Sequence, residues 1–422
     1  MLDLKLIRSD PERVKRALAR RGAAEQVDEL LSLDARRREL LPEVENAQAE
    51  RKALSKRIGE AKQAGEDAED LMASVQALKD RIEAGKEELE KVDAELGSLA
   101  LALPNIPDPD APEGTTEEDA VVLREVGERP GFDFEPRDHL EIGTELGLID
   151  IEAAARLSGS RFAYLKGDLV LLELALVRFA IELVRSEGHE PVLPPVLVRE
   201  EALEGTGFLP GDRDQIYEIP RDELFLTGTS EVALAGLHAD QILDAAALPL
   251  RYCAFSSCFR RESGAAGRDT RGIFRVHQFD KVEMFSFVEP SESAAEHERL
   301  LAIEERILTE LEIPYRVVNV AVGDLGAPAA KKYDCEAWIP SQGRYRELTS
   351  CSNTTDYQAR RLGARYRPAE GEPPQPVHTL NGTAVTGRTI IALIENRQES
   401  DGSFTLPKTL HPYGAPERIS PA

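Results

Sequence analysis

The sequence predicts an α+β protein in which a mainly antiparallel sheet is flanked by helices and preceded by a long antiparallel helical hairpin. Residues 1–103 place apolar side chains at steps of three and four among helix-forming residues, the spacing of an amphipathic helix. From about residue 120 onward, strand-like runs follow one another without helices between them, which favours antiparallel pairing. The 422 residues are enough for two or three domains, each with its own core.

A short first helix can be placed from its capping residues. Ser9 or Asp10 can cap it, Pro11 suits its first turn and Gly22 ends it. Proline is tolerated at such a start because the N–H that it lacks would have no partner there.

Two longer helices are predicted over residues 26–62 and 68–102, joined by a turn at 64–67. Their narrow apolar seams favour an antiparallel coiled-coil arm, about 50 Å long at a rise of 1.5 Å per residue. Pro42 lies inside the first helix, where a proline is expected to kink or restart it. So thin a hairpin cannot enclose a globular core, and it is predicted to reach towards a partner or to mediate dimerisation.

Residues 104–119 are rich in proline, aspartate and glycine and are predicted to be a linker. They leave residues 120–422 as the second domain. Within it, the sequence predicts a buried helix over Asp168–Ser186 and a last helix over residues 387–397. Strands are predicted at residues 196–198, 224–228, 251–259, 274–288, 315–322, 333–339 and 344–350.

Composition and charge exclude several classes of protein. The N-terminus has no apolar core of a signal peptide, and the longest apolar run is too short and too charged to span a bilayer. No membrane is therefore expected among its partners. Four cysteines form no CxxC pair, which favours a reducing cytoplasm. The net charge of −25 argues against nonspecific nucleic-acid binding. Locally, however, residues 36–62 hold eight basic residues against five acidic ones.

The most informative segment is a hairpin between two strand-like runs, at residues 251–259 and 274–288. Its arginines stand against the charge of the whole chain: Arg260, Arg261, Arg268, Arg271 and Arg275. A guanidinium matches phosphate oxygens with two parallel hydrogen bonds, so the cluster favours a local anionic ligand. The alternative is a solvated hairpin whose arginines pair with nearby Asp and Glu. Neither a GxGxxG after a strand nor a GxxxxGK[ST] motif is present, which excludes both common nucleotide-binding loops.

Three further segments concentrate polar residues in the second domain. Thr-Gly-Thr-Ser-Glu at residues 227–231 is a strand end that turns into a helix. Arg-Glu-Leu-Thr-Ser-Cys-Ser-Asn occupies residues 346–353 on a predicted strand. Asn-Gly-Thr-Ala-Val-Thr-Gly-Arg at residues 381–388 is predicted to be a glycine-containing turn into the last helix.

These segments, in this order, resemble the motifs of class II aminoacyl-tRNA synthetases, and most of all the bacterial-type seryl-tRNA synthetases. Residues 188–198 with Pro195 are similar to motif 1. Motif 2 resembles residues 258–262, 267–272 and 275–283, and motif 3 resembles residues 380–383 and 387–389. The triplet at residues 229–231 is similar to the TxE of the family's serine pocket. The resemblance covers the whole chain, since the helical hairpin is also typical of this family.

The resemblance implies an ATP site with Mg²⁺ and with Arg260 and Arg388 as catalytic residues. Arg260 would contact the α-phosphate, Arg275 and Arg388 the β- and γ-phosphates, and Glu262 and Phe279 the adenine. The metal ligands would be Glu347 and Ser350. Strand alternation points Arg261 away from Arg260, although the implied site includes it: Arg260, Arg261, Glu262, Arg275, Val276, Phe279, Glu347, Leu348, Thr349, Ser350 and Arg388.

The resemblance also implies a small polar pocket for the amino acid. Its residues would be Thr229, Ser230, Glu231, Arg260, Glu283, Asn381 and Thr383. Each has an alternative: Glu283 can be an outward strand residue paired with an arginine, and Glu347 of the ATP site can pair with Arg346 or Arg344. Asn381 and Thr383 can be helix caps. His277 is expected to be structural.

The implied function is the ATP-dependent attachment of L-serine to serine tRNA through a seryl-adenylate, by a cytoplasmic homodimer, with selenocysteine tRNA as a further substrate. The expected tRNA contacts are Arg51, Lys52, Lys56, Arg57, Arg268 and Arg271. Two alternatives remain: a related enzyme that loads a carrier protein, and a coiled-coil protein with a degenerate catalytic domain. The second requires the loss of phosphate-binding arginines, and none of the expected ones is missing.

Overall fold

The computed structural model describes residues 1–263 and 271–421. The chain divides into two compact units, one formed by Leu2–Leu103 and the other by Met1 and Pro104–Ala422. Each has its own secondary structure, helical in the first unit and mixed in the second.

The first unit consists of four helices: α1 Leu4–Ser9, α2 Pro11–Ala19, α3 Glu25–Ala64 and α4 Glu69–Ala102. Asp10 caps α2 by accepting from the backbone N–H of Arg13 at 3.1 Å. This helix ends at Ala19, three residues before the predicted Gly22. The two long helices contact each other along their length and form the predicted hairpin, with Gly65 in the left-handed conformation at the end of α3.

Pro42 does not interrupt α3, so the prediction of a restart there is wrong. Buried Leu40 and Val44 flank the proline on the inner face. On α4, a Cβ added at Gly85 would lie only 2.7 Å from Val44 Cγ2, so the glycine allows close packing at this point. Packing on both sides of the proline therefore holds the helix together where its hydrogen-bond ladder lacks a donor.

The second unit contains the remaining elements. Its helices are α5 His139–Glu145, α6 Ile151–Ser158, α7 Asp168–Ser186, α8 Glu200–Thr206, α9 Glu231–Gly236, α10 Ser293–Glu310, α11 Tyr357–Leu362 and α12 Gly387–Asn396. Its strands are β1 Val121–Val126, β2 Ile149–Asp150, β3 Tyr164–Leu165, β4 Glu190–Val192, β5 Leu197–Val198, β6 Tyr217–Ile219, β7 Leu224–Leu226, β8 Ile242–Asp244, β9 Leu250–Phe259, β10 Gln278–Val288, β11 Tyr315–Asn319, β12 Lys331–Ile339, β13 Arg344–Thr355, β14 Arg365–Arg367, β15 Gln375–Pro376, β16 His378–Thr386, β17 Phe404–Thr405 and β18 Arg418–Ile419.

An eight-stranded sheet forms the centre of this unit, in the order β1-β11-β12-β13-β16-β10-β9-β4. Among the described residues its pairings are antiparallel, except for the parallel pair of β4 with β9. The predicted α+β class with a mainly antiparallel sheet is therefore confirmed. The helices α7, α10 and α12 supply much of the buried apolar core, together with side chains from the sheet.

Two sequence predictions about this sheet are wrong. The second strand of the arginine hairpin begins at Gln278 rather than at residue 274. Residues 381–386 belong to β16 and are not a turn, because β10 pairs along them and β13 also pairs with Asn381 and Gly382. Gly382 is needed for packing there: an added Cβ would lie 3.1 Å from Glu304 Oε1 and 3.2 Å from Cys351 Cβ. The cap of α12 is Thr386, whose hydroxyl accepts from the backbone N–H of Arg388.

The predicted linker, residues 104–119, is bound along the second unit. The Asn105 side chain donates to the backbone oxygen of Thr354 at 2.8 Å, and the Asp108 N–H donates to the oxygen of Ala330 at 2.8 Å. Asn319 donates to the oxygen of Asp110 at 2.9 Å. The segment therefore lies against the sheet unit rather than hanging free as a spacer.

None of the helices in the described part of the chain combines the length and apolar character that a bilayer crossing requires.

Candidate active site

A bulge in β13 directs the side chains of Glu347 and Ser350 into the same cavity. Consecutive residues of β12 pair with Thr349 and then with Glu347, so Leu348 is an extra residue without a partner in the register. Because a bulge shifts the alternation of side chains, Glu347 and Ser350 can share a face. The cavity, about 480 Å³, is lined by most of the predicted ATP-site residues and by Thr383 of the serine pocket: Arg260, Glu262, Arg275, Val276, Phe279, Glu347, Leu348, Thr349, Ser350, Thr383 and Arg388.

One wall of the cavity is a stack of arginines around Phe274. The guanidinium carbons of Arg346 and Arg388 lie 4.1 Å and 4.6 Å from the centre of the Phe274 ring. Arg388 also donates to the backbone oxygen of Glu347 at 3.0 Å. Burial and the like charges of neighbouring arginines lower the pKa of Arg388, against the opposing effect of Glu347. The wall therefore concentrates positive charge that an anionic ligand would relieve.

Arg260 follows directly after β9 at the mouth of the cavity. Its guanidinium lies over the Phe279 ring at 5.3 Å and donates to the backbone oxygen of Gly228 at 3.3 Å. His277 donates from Nδ1 to the backbone oxygen of Arg260 at 2.9 Å, and the Arg260 N–H donates to the oxygen of His277. The histidine holds the base of the hairpin together, in keeping with the structural role expected for it.

Glu262 and Arg275, which we expected to contact different parts of ATP, form an ion pair with each other at 2.9 Å. Arg261 does not reach the cavity. The guanidinium of Arg261 lies over the Tyr217 ring at 5.5 Å, and the backbone N–H of Arg261 donates to the backbone oxygen of Gln215. The structure therefore places Arg261 outside the cavity that the other predicted ATP-site residues share, on the side that strand alternation indicates.

Glu347 carries a carboxylate that the surrounding cations keep ionised. Burial alone would raise the pKa of Glu347, but Lys332, Arg388 and Arg260 outweigh burial and lower the pKa to about 2. Its oxygens lie 3.8 Å from Lys332 Nζ and 3.5 Å from Arg388, not against Arg346 or Arg344. An ionised carboxylate beside the Ser350 hydroxyl is the kind of oxygen donor set that Mg²⁺ prefers, so these residues fit the metal.

A second region, called the closed region because its two carboxylates are buried, contains Glu231 at the start of α9. The carboxylate of Glu231 accepts from Gln358 at 2.7 Å and from Asn381 at 2.9 Å, both at Oε1. Burial and the charge of Glu283 raise the pKa of Glu231 to about 7, although Gln358, Lys281 and Asn381 oppose this. An acid in this position gains from a cationic ligand, which would favour its ionised form.

Glu283 is the second carboxylate of this region. It lies 2.5 Å from Lys281 Nζ and accepts from the hydroxyl of Thr383 at 3.3 Å. Burial raises the pKa of Glu283, while Lys281 and Thr383 oppose it. Both residues of the ion pair are almost fully buried, so the alternative of an outward strand residue paired with an arginine is wrong.

Of the other predicted pocket residues, Thr229, Ser230 and Thr383 are buried and Asn381 is half-buried. Thr229 Oγ1 accepts from the Glu231 N–H at 3.2 Å, and Ser230 is 1% exposed. Asn381 and Thr383 lie on β16, so the alternative of helix caps is wrong for both. A second bulge, where the partner of β10 jumps from Val385 to Thr383, lets Thr383 face Glu283.

The predicted tRNA contacts fall in different places. The four on α3 are all exposed: Arg51, Lys52, Lys56 and Arg57. Arg271 forms ion pairs with Asp138 at 2.5 Å and with Glu141 at 2.9 Å. Arg268 lies outside the described residues.

Three residues of the site have no counterpart in the sequence predictions. Phe274 was assigned only to a strand, yet it lies between two arginines. Lys281 stands two residues before Glu283 on the same strand, and this spacing places both side chains on one face. The spacing could therefore have predicted their ion pair. Gln358 follows the 346–353 segment on a separate helix, α11, and no local pattern connects it to Glu231.

Among the described residues, no group of three or more His, Cys, Asp or Glu side chains could hold a metal ion.

Comparisons with known proteins agree with this geometry. The model of the seryl-tRNA synthetase N-terminal domain matches residues 1–107, and that of the tRNA synthetase class II core domain (G, H, P, S and T) matches residues 216–397. The serine–tRNA ligase of Thermobifida fusca is 49% identical over 100% of this chain and 99% of its own length. The serine–tRNA ligase of Streptomyces coelicolor is 51% identical over 100% and 99%.

Solved structures give the same result. The seryl-tRNA synthetase of Pyrococcus horikoshii complexed with ATP has a TM-score of 0.93 and 43% identity, covering 100% of both chains. The cytoplasmic serine–tRNA ligase of Naegleria fowleri in complex with AMP has a TM-score of 0.87 and 30% identity, covering 100% of this chain and 99% of its own. The resemblance inferred from the motifs is confirmed, and the chain belongs to the seryl-tRNA synthetase family of class II aminoacyl-tRNA synthetases.

Proposed function

We propose that this protein activates L-serine with ATP and transfers the seryl group to the 3′-terminal adenosine of serine tRNA. The observation that carries the proposal is the division of the site into two adjoining regions. An open cavity lined by arginines suits the phosphates of ATP, and the buried carboxylates of Glu231 and Glu283 beside it suit the ammonium of a small amino acid.

In the first step, a serine carboxylate oxygen attacks the α-phosphorus of ATP, the bond to the β-phosphate oxygen breaks and pyrophosphate leaves. Arg260, at the mouth between the two regions, is proposed to hold the α-phosphate and the serine carboxylate. Arg275 and Arg388 would bind the charge of the leaving pyrophosphate. The step needs positioning and charge stabilisation more than proton transfer, because the serine carboxylate is already ionised.

The purine end of ATP is assigned to the hairpin. Phe279 offers a ring face for stacking, and Glu262 can accept from the exocyclic amine of adenine. Because Glu262 and Arg275 pair with each other at 2.9 Å, ATP binding would exchange this ion pair for contacts with the nucleotide.

Mg²⁺ is proposed to bind at Glu347 and Ser350. When bound, the ion would neutralise part of the phosphate charge. The carboxylate of Glu347 is prepared for this, since its pKa of about 2 leaves it ionised throughout the neutral range.

Glu231 is proposed to bind the serine ammonium, and Glu283 with Thr383 to bind its hydroxyl. A site built around a hydroxyl rejects an analogue that lacks it, because buried polar groups lose their partners. Alanine would therefore be excluded by unpaired groups and threonine by the closed shape of the pocket.

The tRNA is proposed to contact the exposed row on α3, which contains Arg51, Lys52, Lys56 and Arg57, mainly through phosphates. In the second step, a hydroxyl of the terminal adenosine attacks the seryl carbonyl and AMP leaves. Arg271 can reach the acceptor end only after leaving Asp138 and Glu141, its partners in this structure.

Selenocysteine tRNA is proposed as a further substrate, to be tested by charging it alone.

The protein is proposed to be a cytoplasmic homodimer. Large apolar side chains are exposed on α7 and just after β4: Leu171 at 47%, Leu174 at 58% and Leu193 at 81%. Such side chains are more typical of an interface than of a solvated surface. Calibrated mass in solution tests the dimer, and four buried free cysteines suit a reducing compartment.

The experiment that tests the function is amino-acid-dependent ATP–pyrophosphate exchange with each of the standard amino acids, followed by charging of unfractionated bacterial tRNA. We expect exchange with serine and charging of serine tRNA. Exchange with another amino acid and none with serine would overturn the proposal. Exchange with serine but no tRNA charging would instead favour the enzyme that loads a carrier protein.

A further inference from the structure

Gln358, on α11, is fully buried and contacts Glu231 of the proposed serine pocket. Its amide nitrogen donates to Glu231 Oε1 at 2.7 Å and to the backbone oxygen of Thr206 at 3.1 Å. Its amide oxygen accepts from the hydroxyl of Thr379 at 2.8 Å. The amide is therefore held in one orientation, since turning it over would set its oxygen against a carboxylate and a carbonyl.

Asn381 donates to the same oxygen of Glu231 at 2.9 Å. Two amides thus engage Oε1, and neither engages Oε2. A carboxylate held at one oxygen by two donors has a fixed plane, and its other oxygen remains for a ligand cation.

We infer that Gln358 is a positioning residue for serine, which fixes the Glu231 carboxylate and supports its ionised form while the substrate ammonium binds. The inference rests on the proposed activation of serine, and it goes further by assigning a role to a side chain outside the pocket. A neutral donor suits this role, because a cation at the same place would neutralise the carboxylate and compete with the ammonium.

The charged groups that face Glu231 are those of β10. Glu283 raises the pKa of Glu231 and Lys281 lowers it, whereas α8 and α11 contribute the uncharged Thr206 and Gln358. A hydrogen bond to the ionised form lowers the pKa of an acid. Loss of the Gln358 donor therefore moves the pKa of Glu231 further above about 7, and serine binding at neutral pH becomes weaker.

The test measures the KM for serine, the KM for ATP and kcat in pyrophosphate exchange from about pH 6.5 to about pH 8.5. In the full-length protein, Gln358→Leu is expected to raise the serine KM about fivefold at neutral pH, because a rise of about one unit from a pKa of about 7 lowers the ionised fraction of Glu231 from about one half to about one tenth. The difference should shrink as the pH rises, and the ATP KM should stay unchanged.

Gln398→Leu is the matched control. Gln398 is also buried, and its amide likewise donates twice, to Arg137 O and Glu395 O at 2.9 Å, but away from the pocket. This change is expected to leave the serine KM and its pH dependence as they are, so it separates general destabilisation from the role of Gln358.

Thr379→Val is a milder second variant for the case in which Gln358→Leu does not fold. It removes the hydroxyl that donates to the Gln358 oxygen, and a serine KM raised about threefold is expected from one weakened hydrogen bond. Unchanged serine KM and pH profile in the variants that fold would overturn the inference. If the unmodified protein gives no serine-dependent exchange, the proposed function fails instead, whatever the variants do.

Discussion

Glu231 and Glu347 are two carboxylates of one site with opposite electrostatic surroundings. Burial and Glu283 raise the pKa of Glu231 to about 7, while Lys332, Arg388 and Arg260 overcome burial and lower that of Glu347 to about 2. The first lies in the closed amino-acid region, and the second lines the open cavity. In the proposed function, the same residue type therefore binds an organic cation in one place and a metal ion beside the phosphates in the other.

The comparison shows how the site can keep its two substrates apart. In the proposed function, a phosphate entering the closed region would meet Glu231 and Glu283, whereas the cavity offers it Arg260, Arg275 and Arg388. Arg260 is proposed to hold the serine carboxylate and the α-phosphate where the two regions adjoin.

The largest expected effect comes from the residue between the two regions. Arg260→Ala should lower exchange by about 10³-fold, since one preorganised charge contact to a developing anion is worth this order of magnitude. Arg261→Ala is the matched control, because Arg261 lies over Tyr217 outside the cavity, and near-normal exchange is expected. Equal losses in the two variants would contradict the assignment of Arg260.

A smaller effect, confined to one substrate, is expected from the two carboxylates. Glu231→Gln should raise the serine KM about a hundredfold and leave the ATP KM unchanged, because truncating one partner of a buried charge pair costs about 2–5 kcal/mol. Glu347→Gln should instead raise the ATP KM and the Mg²⁺ concentration for half-maximal rate. Steady-state exchange with each substrate varied in turn measures both, and a shared pattern in the two variants would remove the distinction between the regions.

The arm should affect only the second step. The double change Lys52→Glu with Lys56→Glu is expected to raise the tRNA KM in charging about tenfold and to reduce its salt dependence, with exchange unaffected. Lys79→Glu, an exposed charge on α4, is the control and should have less effect. If the control weakens charging as much as the double change does, the contact surface is not the row on α3.

The sequence predicts the frame of this protein better than the interior of its site. Apolar periodicity locates α3, α4 and α7 within a few residues, since this signal is local. The turn predicted at residues 381–388 is wrong because pairing on both sides of β16 overrides the local signal of Gly382. Restart at Pro42 is wrong for a similar reason, since packing against α4 maintains the helix.

Within the site, the motifs predict the side chains that line the cavity, but not the side chains that pack against these or hydrogen-bond to them. Arg261 belongs to the motif and still lies outside the cavity. Phe274 and Gln358 contact motif residues only in three dimensions, and Lys281 lies inside motif 2 without a predicted role. Bulges in β13 and β16 decide which side chains share a face. Such register shifts and contacts over long sequence separations leave no mark in local composition.

The most direct test of the two-region account is the pH dependence of the two KM values in pyrophosphate exchange by the unmodified protein. In the proposed function, ionised Glu231 binds the serine ammonium, and its pKa of about 7 means that protons compete below that pH. We predict that the serine KM rises as the pH falls from about 8.5 to about 6.5, while the ATP KM changes little, because Glu347 stays ionised throughout. A flat serine KM, or a parallel rise of both values, would contradict the account.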